Sequence, residues 1–439
     1  MHRFNSLEWL VCIIVLCLCK FSKADEAKPH QFLDSVYQWR SEGGNLKLGG
    51  PVVVAGVLCF IAAMISSAGG IGGGGLYIPI LTIVAGLELK TASSFSAFMV
   101  TGGIIANVVC NMFMPSSKHG GRVLVDFDIA LLSEPFMLLG VSFGVICNVV
   151  FPEWLITVLF AVFLVWCTFS TFRSGILHWK LETRNDGCSE METGMLDKQN
   201  FRGNEGAVSG AERASLRGEI AWMKLGMLLM IWLCFFLLYL FRGNQSGHGI
   251  VDMEACGVGY WIISSIQIPL AVSFTGWILF SKERCQSGEE EEETRGLPNK
   301  FIFPVMALLA GFLGGVFGIG GGMLISPLLI QVGLPPQITA ATCSFMVLFS
   351  STMSAVQYLL LGMEHTESAM IFAAICLAAS LLGLVVVQRA IEKHGRASLI
   401  VFSVGTVMAL STVLITSFGA VDAWKDYESG RYMGFKPPC

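Results

Sequence analysis

The sequence predicts an all-α polytopic membrane protein: two inverted-topology repeats, broken or re-entrant helices at Gly-rich motifs, and a two-helix insert between the repeats. Three observations predict it. Of 439 residues, 54% are hydrophobic and only 14% charged, with a mean hydropathy of +0.67, far more apolar than a water-soluble domain can bury. A glycine-rich motif occurs twice, as GGIGGGGLYIPIL over 69–81 and as FGIGGGMLISPLL over 317–329. The basic loops of the two copies are out of phase by one loop.

In chain order, residues 1–24 read as a secretory signal peptide: a short basic start, an apolar core from Trp9 to Cys19 and small residues ending near Ala24. That core is too short to span a membrane. A lumenal segment over 25–50 follows, then long apolar runs near 51–68, 92–114, 127–150, 154–173, 221–241, 258–281, 302–318, 339–361, 368–388 and 398–418. Two further runs, 76–87 and 322–333, are too short to cross: twelve residues in a helix cover about 18 Å. Each reads as a half-helix or one arm of a re-entrant hairpin.

The short runs are equivalent to one another, with Ile71 aligned on Ile319 and Pro79 on Pro327, and the match continues from SAFMV (96–100) to CSFMV (343–347). This defines membrane repeat 1 over 51–173 and repeat 2 over 302–418, with the two-helix insert at 221–281. Lys118 and Arg122 follow the third run of the first copy, whereas Arg389, Lys393 and Arg396 come one loop later in the second. Seven segments separate the two starting points, and an odd number inverts the second copy.

With a lumenal mature N-terminus, these basic loops, a disordered linker over 174–220 and an acidic loop over 282–301 fall in the cytosol, and the tail 419–439 is lumenal. Asn244 in Asn244-Gln245-Ser246 then lies in a lumenal loop, where a glycosylation sequon is usable. Cys256 and Cys439 share that side and are the one pair placed to meet in an oxidising lumen. Cys59, Cys110, Cys147, Cys167, Cys234, Cys343 and Cys376 sit in apolar runs and suit packing. The expected location is a multi-pass membrane protein of the secretory route, in an endomembrane or the plasma membrane.

Several chemistries are set aside. A net charge of -4 and the lack of a basic stripe exclude a nucleic-acid groove. Gly70, Gly72 and Gly75 spell GxGxxG, but membrane segments flank them instead of a strand and a soluble helix, so no dinucleotide cofactor is expected. Gly140-Val141-Ser142-Phe143-Gly144 spells a nucleophile elbow in mid-helix, where Gly140 and Gly144 read better as a small-residue packing face. No histidine pair has metalloprotease spacing. No catalytic residue, metal site or cofactor is expected.

The glycine motifs remain as the functional signal. Irregular backbone at membrane depth is tolerated only where protein or a water-filled cavity surrounds it. Glycines permit positive φ and close approach of a ligand to the main chain, and a following half-helix offers N–H groups and a positive dipole end. That suits a small anion. The candidate binding residues are Gly70, Gly72, Gly73, Gly74 and Pro79 with Ser94, Ser96 and Asn107, and Gly318, Gly320, Gly321, Gly322 and Pro327 with Thr342 and Ser344. Thr91, Ser93, Thr339 and Ser354 lie in the same helices, and any of these hydroxyls also suits ordinary helix packing. Glu134, the one acidic residue well inside a long span, is the proton-coupling candidate; a carboxyl bonded to backbone groups freed by Pro135 is the alternative.

The paired motifs GGIGGGGLYIPIL and GIGGGMLISPLLIQVGLPP, each followed by a Ser/Thr-rich helix, resemble the sulfite exporter TauE/SafE family, and the signal peptide, insert and FPEW stretch (151–154) resemble its plant branch. The resemblance implies movement of small sulfur-containing anions such as sulfite or organosulfonates, coupled to a proton or cation gradient, in a lipid bilayer. One departure stands out: GLELKTASS (86–94) replaces the GLPPQITAAT pattern kept at 333–342. The competing class is a non-transporting scaffold or receptor acting through the linker and acidic loop. Oligomeric state is not legible.

Overall fold

The computed structural model describes residues 50–67, 69–113, 125–192, 207–242, 258–286, 302–331, 334–363, 365–394, 398–428 and 434–435. The signal peptide, most of the segment 25–50, the loop holding Lys118 and Arg122, Asn244, Cys256, the acidic run 289–293 and Cys439 lie outside them.

Twelve helices form among the described residues: α1 Gly50–Ser67, α2 Gly74–Ile83, α3 Leu89–Phe113, α4 Phe127–Val150, α5 Glu153–Glu192, α6 Ala207–Arg242, α7 Val258–Gln286, α8 Ile302–Phe317, α9 Gly322–Gln331, α10 Pro336–Leu360, α11 Thr366–His394 and α12 Ser398–Glu428. No strand forms among these residues. Eight of the helices are long and apolar enough to cross a membrane. The two short segments behave as their length requires: α2 and α9 have 10 residues each, about 15 Å of helix.

Helix limits follow local chemistry. Asp126 caps α4, its side chain accepting hydrogen bonds from the N–H groups of Asp128 (3.1 Å) and Ile129 (3.3 Å). Pro335 and Pro336 open α10, where a missing N–H costs nothing. The sequence places a disordered linker over 174–220, yet α5 continues to Glu192 and α6 begins at Ala207. Both stretches lack proline and extend existing helices, so neither requires a new helical nucleus.

Packing within the first half, α1 to α5, is repeated within the second, α8 to α12, and the contacts between halves are exchanged in pairs. Helix α4 packs on α8 as α11 packs on α1, α3 packs on α11 as α10 packs on α4, and α2 packs on α12 as α9 packs on α5. The α4–α8 contact is backbone to backbone. A β-carbon on Gly140 would stand 2.7 Å from Phe312 N, one on Gly144 2.9 Å from Val316 N, and one on Gly315 2.6 Å from Val141 O. Gly140 and Gly144 thus serve as the small-residue face expected from the sequence. Helices α5 and α12, which hold the same place in the two halves, lie antiparallel: Phe172 faces Phe402 and Gly405, Thr168 meets Thr412 at 3.3 Å, and Thr157 meets Gly419.

The insert helices α6 and α7 pack on each other and on α4, with a Lys224–Asp128 ion pair (2.7 Å) and a bond from Trp232 Nε1 to Phe349 O (3.3 Å). The seven cysteines of the apolar runs are free thiols, and five of them are buried. They pack as small apolar side chains.

Candidate functional site

The structure brings the two glycine motifs into direct contact at the centre of the bundle. In each, the chain leaves a helix, turns through glycines and starts a short helix. Gly70, Gly72 and Gly73 have φ of 66°, 80° and 79°, and their counterparts Gly318, Gly320 and Gly321 have 66°, 71° and 72°. The two breaks therefore share one backbone conformation, in a region that L-residues with a β-carbon adopt only at a cost. Across the pair, a β-carbon on Gly74 would meet Ile319 and one on Gly322 would meet Val347 and Ile71. Gly70 lies against the Ala340 carbonyl and the Ser344 hydroxyl of α10, and Gly318 against the Ser93 carbonyl of α3. Ser93 and Ala340 hold equivalent positions in the repeat, so each break rests on the third helix of the other half.

Several carbonyls at the edges of these breaks are satisfied by side chains or turn bonds, whereas a set of N–H groups at the starts of the two short helices is not. On the carbonyl side, Gly70 N–H bonds Ser67 O (3.2 Å), and Asn107 Nδ2 donates to the same oxygen (3.0 Å). Ser67 Oγ in turn donates to Asn107 Oδ1 (2.6 Å) and Ser380 O (3.0 Å), tying α1, α3 and α11 together. In the second half Tyr358 donates to Gly315 O (2.7 Å), Asn148 to Val316 O (2.7 Å) and Ser350 to Gly320 O (2.8 Å). Pro79, which has no N–H, leaves Gly75 O without its helical donor, and Ser411 of α12 supplies one at 2.5 Å.

The N–H groups are left differently. Helix α2 begins at Gly73 with no side-chain cap, and its first backbone bonds run from Leu76 (3.0 Å) and Tyr77 (3.3 Å) to Gly73 O. Helix α9 begins in the same way, with Leu324 N–H on Gly321 O (3.2 Å). Among the described residues no backbone or side-chain acceptor meets the N–H groups of Gly73, Gly74 and Gly75, or those of Gly321, Gly322 and Met323. These residues are buried, and buried N–H groups are seldom left unpaired. Two short helices thus present their N-terminal donors to one central region, where the dipole ends favour negative charge.

The sequence-nominated polar residues distribute unevenly around this centre. Asn107 and Ser344 flank the first break, as described. Thr342 accepts from Asp126 N (2.9 Å), which anchors the start of α4, and Ser94 bonds back to Lys90 O (3.1 Å) within its own helix. The hydroxyls of Ser96, Thr339 and Ser354 are buried without a partner among the described residues. Pro327 lies inside α9 as Pro79 lies inside α2. The departure at 86–94 has a structural use: Lys90 donates to Val149 O (2.6 Å), one of the carbonyls left open at the end of α4. Glu134 is fully buried, and neither carboxyl oxygen has a partner among the described residues. It is also the one charged side chain buried among them.

Several participants carry no signal in the sequence. Ser67, Ser350, Ser411, Asn148 and Tyr358 lie in apolar helices with nothing in the sequence to single them out, and only the fold shows which carbonyl or amide oxygen each one meets.

A family model described as Sulfite exporter TauE/SafE matches residues 204–412. The chain is 60% identical over 425 residues to Sulfite exporter TauE/SafE family protein 2 of Arabidopsis thaliana, covering 94% of this chain and 92% of that one. Family protein 5 of the same plant is 55% identical over 455 residues, covering 99% and 100%, and family protein 1 is 51% identical over 454 residues, covering 98% of each. No solved structure matches the chain. The doubled glycine break is thus housed in a multi-pass membrane protein that matches these relatives almost end to end, and the chain belongs to the sulfite exporter TauE/SafE family.

Proposed function

We propose that the protein is a secondary transporter of small anions, of which sulfite and organosulfur anions are the class that the relatives' names indicate. The observation that carries the proposal is the pair of facing glycine breaks, each with buried N–H groups that no acceptor among the described residues takes. Backbone donors suit a transporter. Partial charges at a helix start attract an anion without the deep trap that a buried Lys or Arg would create. No Lys or Arg is buried among the described residues.

The two halves act as inverted repeats that rock about the paired breaks to open the centre to either side in turn. The antiparallel pairing of α5 with α12 and the exchanged contacts of the other helices support this reading. Glu134, buried without a partner among the described residues, is the site of proton coupling. The signal peptide, the glycan at Asn244 and residence in the secretory route belong to the same proposal, and glycosidase treatment of the full-length protein, with Asn244→Gln as control, tests them through one mobility shift.

The decisive measurement is flux of labelled sulfite into proteoliposomes. Gly73→Val and Gly321→Val place a branched side chain where φ is 79° and 72°, and each is expected to abolish flux. Wild-type flux retained by both variants would remove the glycine breaks from the pathway. If the wild type moves neither sulfite nor an organosulfonate, the transporter reading fails and a scaffold role takes its place.

A further inference from the structure

A second polar site lies away from the glycine breaks, where α5 leaves its apolar span. The span of α5 ends at Leu177. Around that end, Arg173, Ser174, Ile176, Leu177 and Lys180 line a cavity of about 520 Å³. Arg173 and Lys180 are seven residues apart, two helical turns on one face, and both are exposed, while Ser174 between them is buried. Among the described residues neither cation has an ion pair or hydrogen bond.

The surroundings set the depth and the neighbour of this cavity. Ile176 and Leu177 are 49% and 57% exposed, and Phe169 and Trp166, nearer the middle of the span, are also exposed. Such a flank faces acyl chains. Trp179 packs edge-on against Phe402 of α12 at 6.0 Å, the kind of amphipathic ring found where a membrane meets water. The cavity therefore opens sideways to lipid at headgroup depth, and its floor carries a guanidinium, an ammonium and a hydroxyl. It lies on the end of α5 that the charge bias of the sequence places in the cytosol, the side on which anionic lipid is concentrated. Arg173 is also remote from the central breaks. Leu164, beside the β-carbon position of Gly75, is nine residues earlier, about 13 Å along the helix.

We propose that the cavity between Arg173 and Lys180 holds the phosphodiester headgroup of an anionic phospholipid, whose acyl chains lie along Ile176, Leu177 and Phe169. Arg173 matches the phosphate oxygens with its planar fork, Lys180 adds a point charge, and Ser174 donates a hydroxyl. The site holds a lipid and stands apart from the transported anion.

The test uses the full-length protein in detergent micelles. Bound phosphatidylglycerol and phosphatidylcholine are counted by native mass spectrometry during titration. The wild type is expected to prefer phosphatidylglycerol. Arg173→Gln and Lys180→Gln should each weaken that binding by roughly fivefold and the double variant by roughly thirtyfold, from the attraction of one basic residue for anionic lipid. Arg173→Lys, which keeps the charge and loses the fork, should fall between the wild type and Arg173→Gln. Both positions are exposed, so the single variants give the same test if the double variant expresses poorly. The proposal is overturned if the variants bind phosphatidylglycerol as the wild type does, or if phosphatidylcholine binds equally well. It is also overturned if sn-glycerol 3-phosphate displaces the lipid at equal concentration, which would mark a site for free phosphate.

Discussion

Gly74 of the first half and Ile319 of the second touch through their backbones: a β-carbon added to Gly74 would stand 2.7 Å from the Cα of Ile319. The reciprocal pair is looser, with a β-carbon on Gly322 at 3.5 Å from the Cα of Ile71 and its closest clash, 2.5 Å, with the Val347 side chain. At this contact the halves approach at main-chain distance through two glycines, and the contact is stiffer on one side.

That difference predicts an order. Gly74→Ala must displace backbone and should cost about 2–3 kcal/mol, whereas Gly322→Ala can be met partly by a shift of Val347 and should cost about 1–2 kcal/mol. Thermal midpoints of the purified variants give the comparison. Equal midpoints would mean that the interface relaxes more freely than its packing implies.

The clamp at the first break makes a second prediction. Asn107→Ala removes both the donor to Ser67 O and the acceptor for Ser67 Oγ inside the bundle and should cost about 2–3 kcal/mol. Tyr358→Phe removes one donor, to Gly315 O, and should cost about 1 kcal/mol. Chemical denaturation in micelles measures both, and a smaller loss for Asn107→Ala than for Tyr358→Phe would contradict the clamp.

Ser411 and Pro79 should be coupled. Ser411 donates to Gly75 O because a proline at position 79 cannot. Ser411→Ala in the wild type is expected to cost about 1–2 kcal/mol, and less in a Pro79→Ala background, where the new N–H can take over. Additive losses in the double-mutant cycle would show that the two groups act independently.

Glu134→Gln separates a coupling carboxyl from a structural one. Neither oxygen has a partner among the described residues, so the substitution removes no known bond and should leave the midpoint unchanged or raise it. Flux should persist but lose its response to an imposed pH gradient. Unaltered gradient dependence would assign coupling elsewhere.

Much of the architecture is legible in the linear pattern. Twelve apolar runs, two of them too short to cross, correspond to the twelve helices among the described residues, because helix length and hydrophobicity in a bilayer are local properties of the chain. The doubling of the glycine motif marks both members of the central pair for the same reason. Other features had no local trace. Thr342, nominated for the site, spends its hydroxyl on Asp126 N, and Ser411, not nominated, closes the gap that Pro79 opens. Hydroxyls in apolar helices look alike until their neighbours are known. The extension of α5 to Glu192 was hidden too, since polar composition suggests a linker whether or not an upstream helix propagates into it.

The sequence by itself determined that this chain lives in a membrane, that it carries two copies of one unit, and that each copy breaks at glycines before a truncated helix. These are matters of composition, length and backbone permission. Only the tertiary structure decided that the breaks touch each other, that each rests on the third helix of the opposite half, and that carbonyls beside them are capped by distant side chains while, among the described residues, the first N–H groups of the two short helices are not. A hydrogen bond between residues 40 or 313 positions apart depends on which helix faces match, and that is settled by packing between helices, beyond the reach of any single segment.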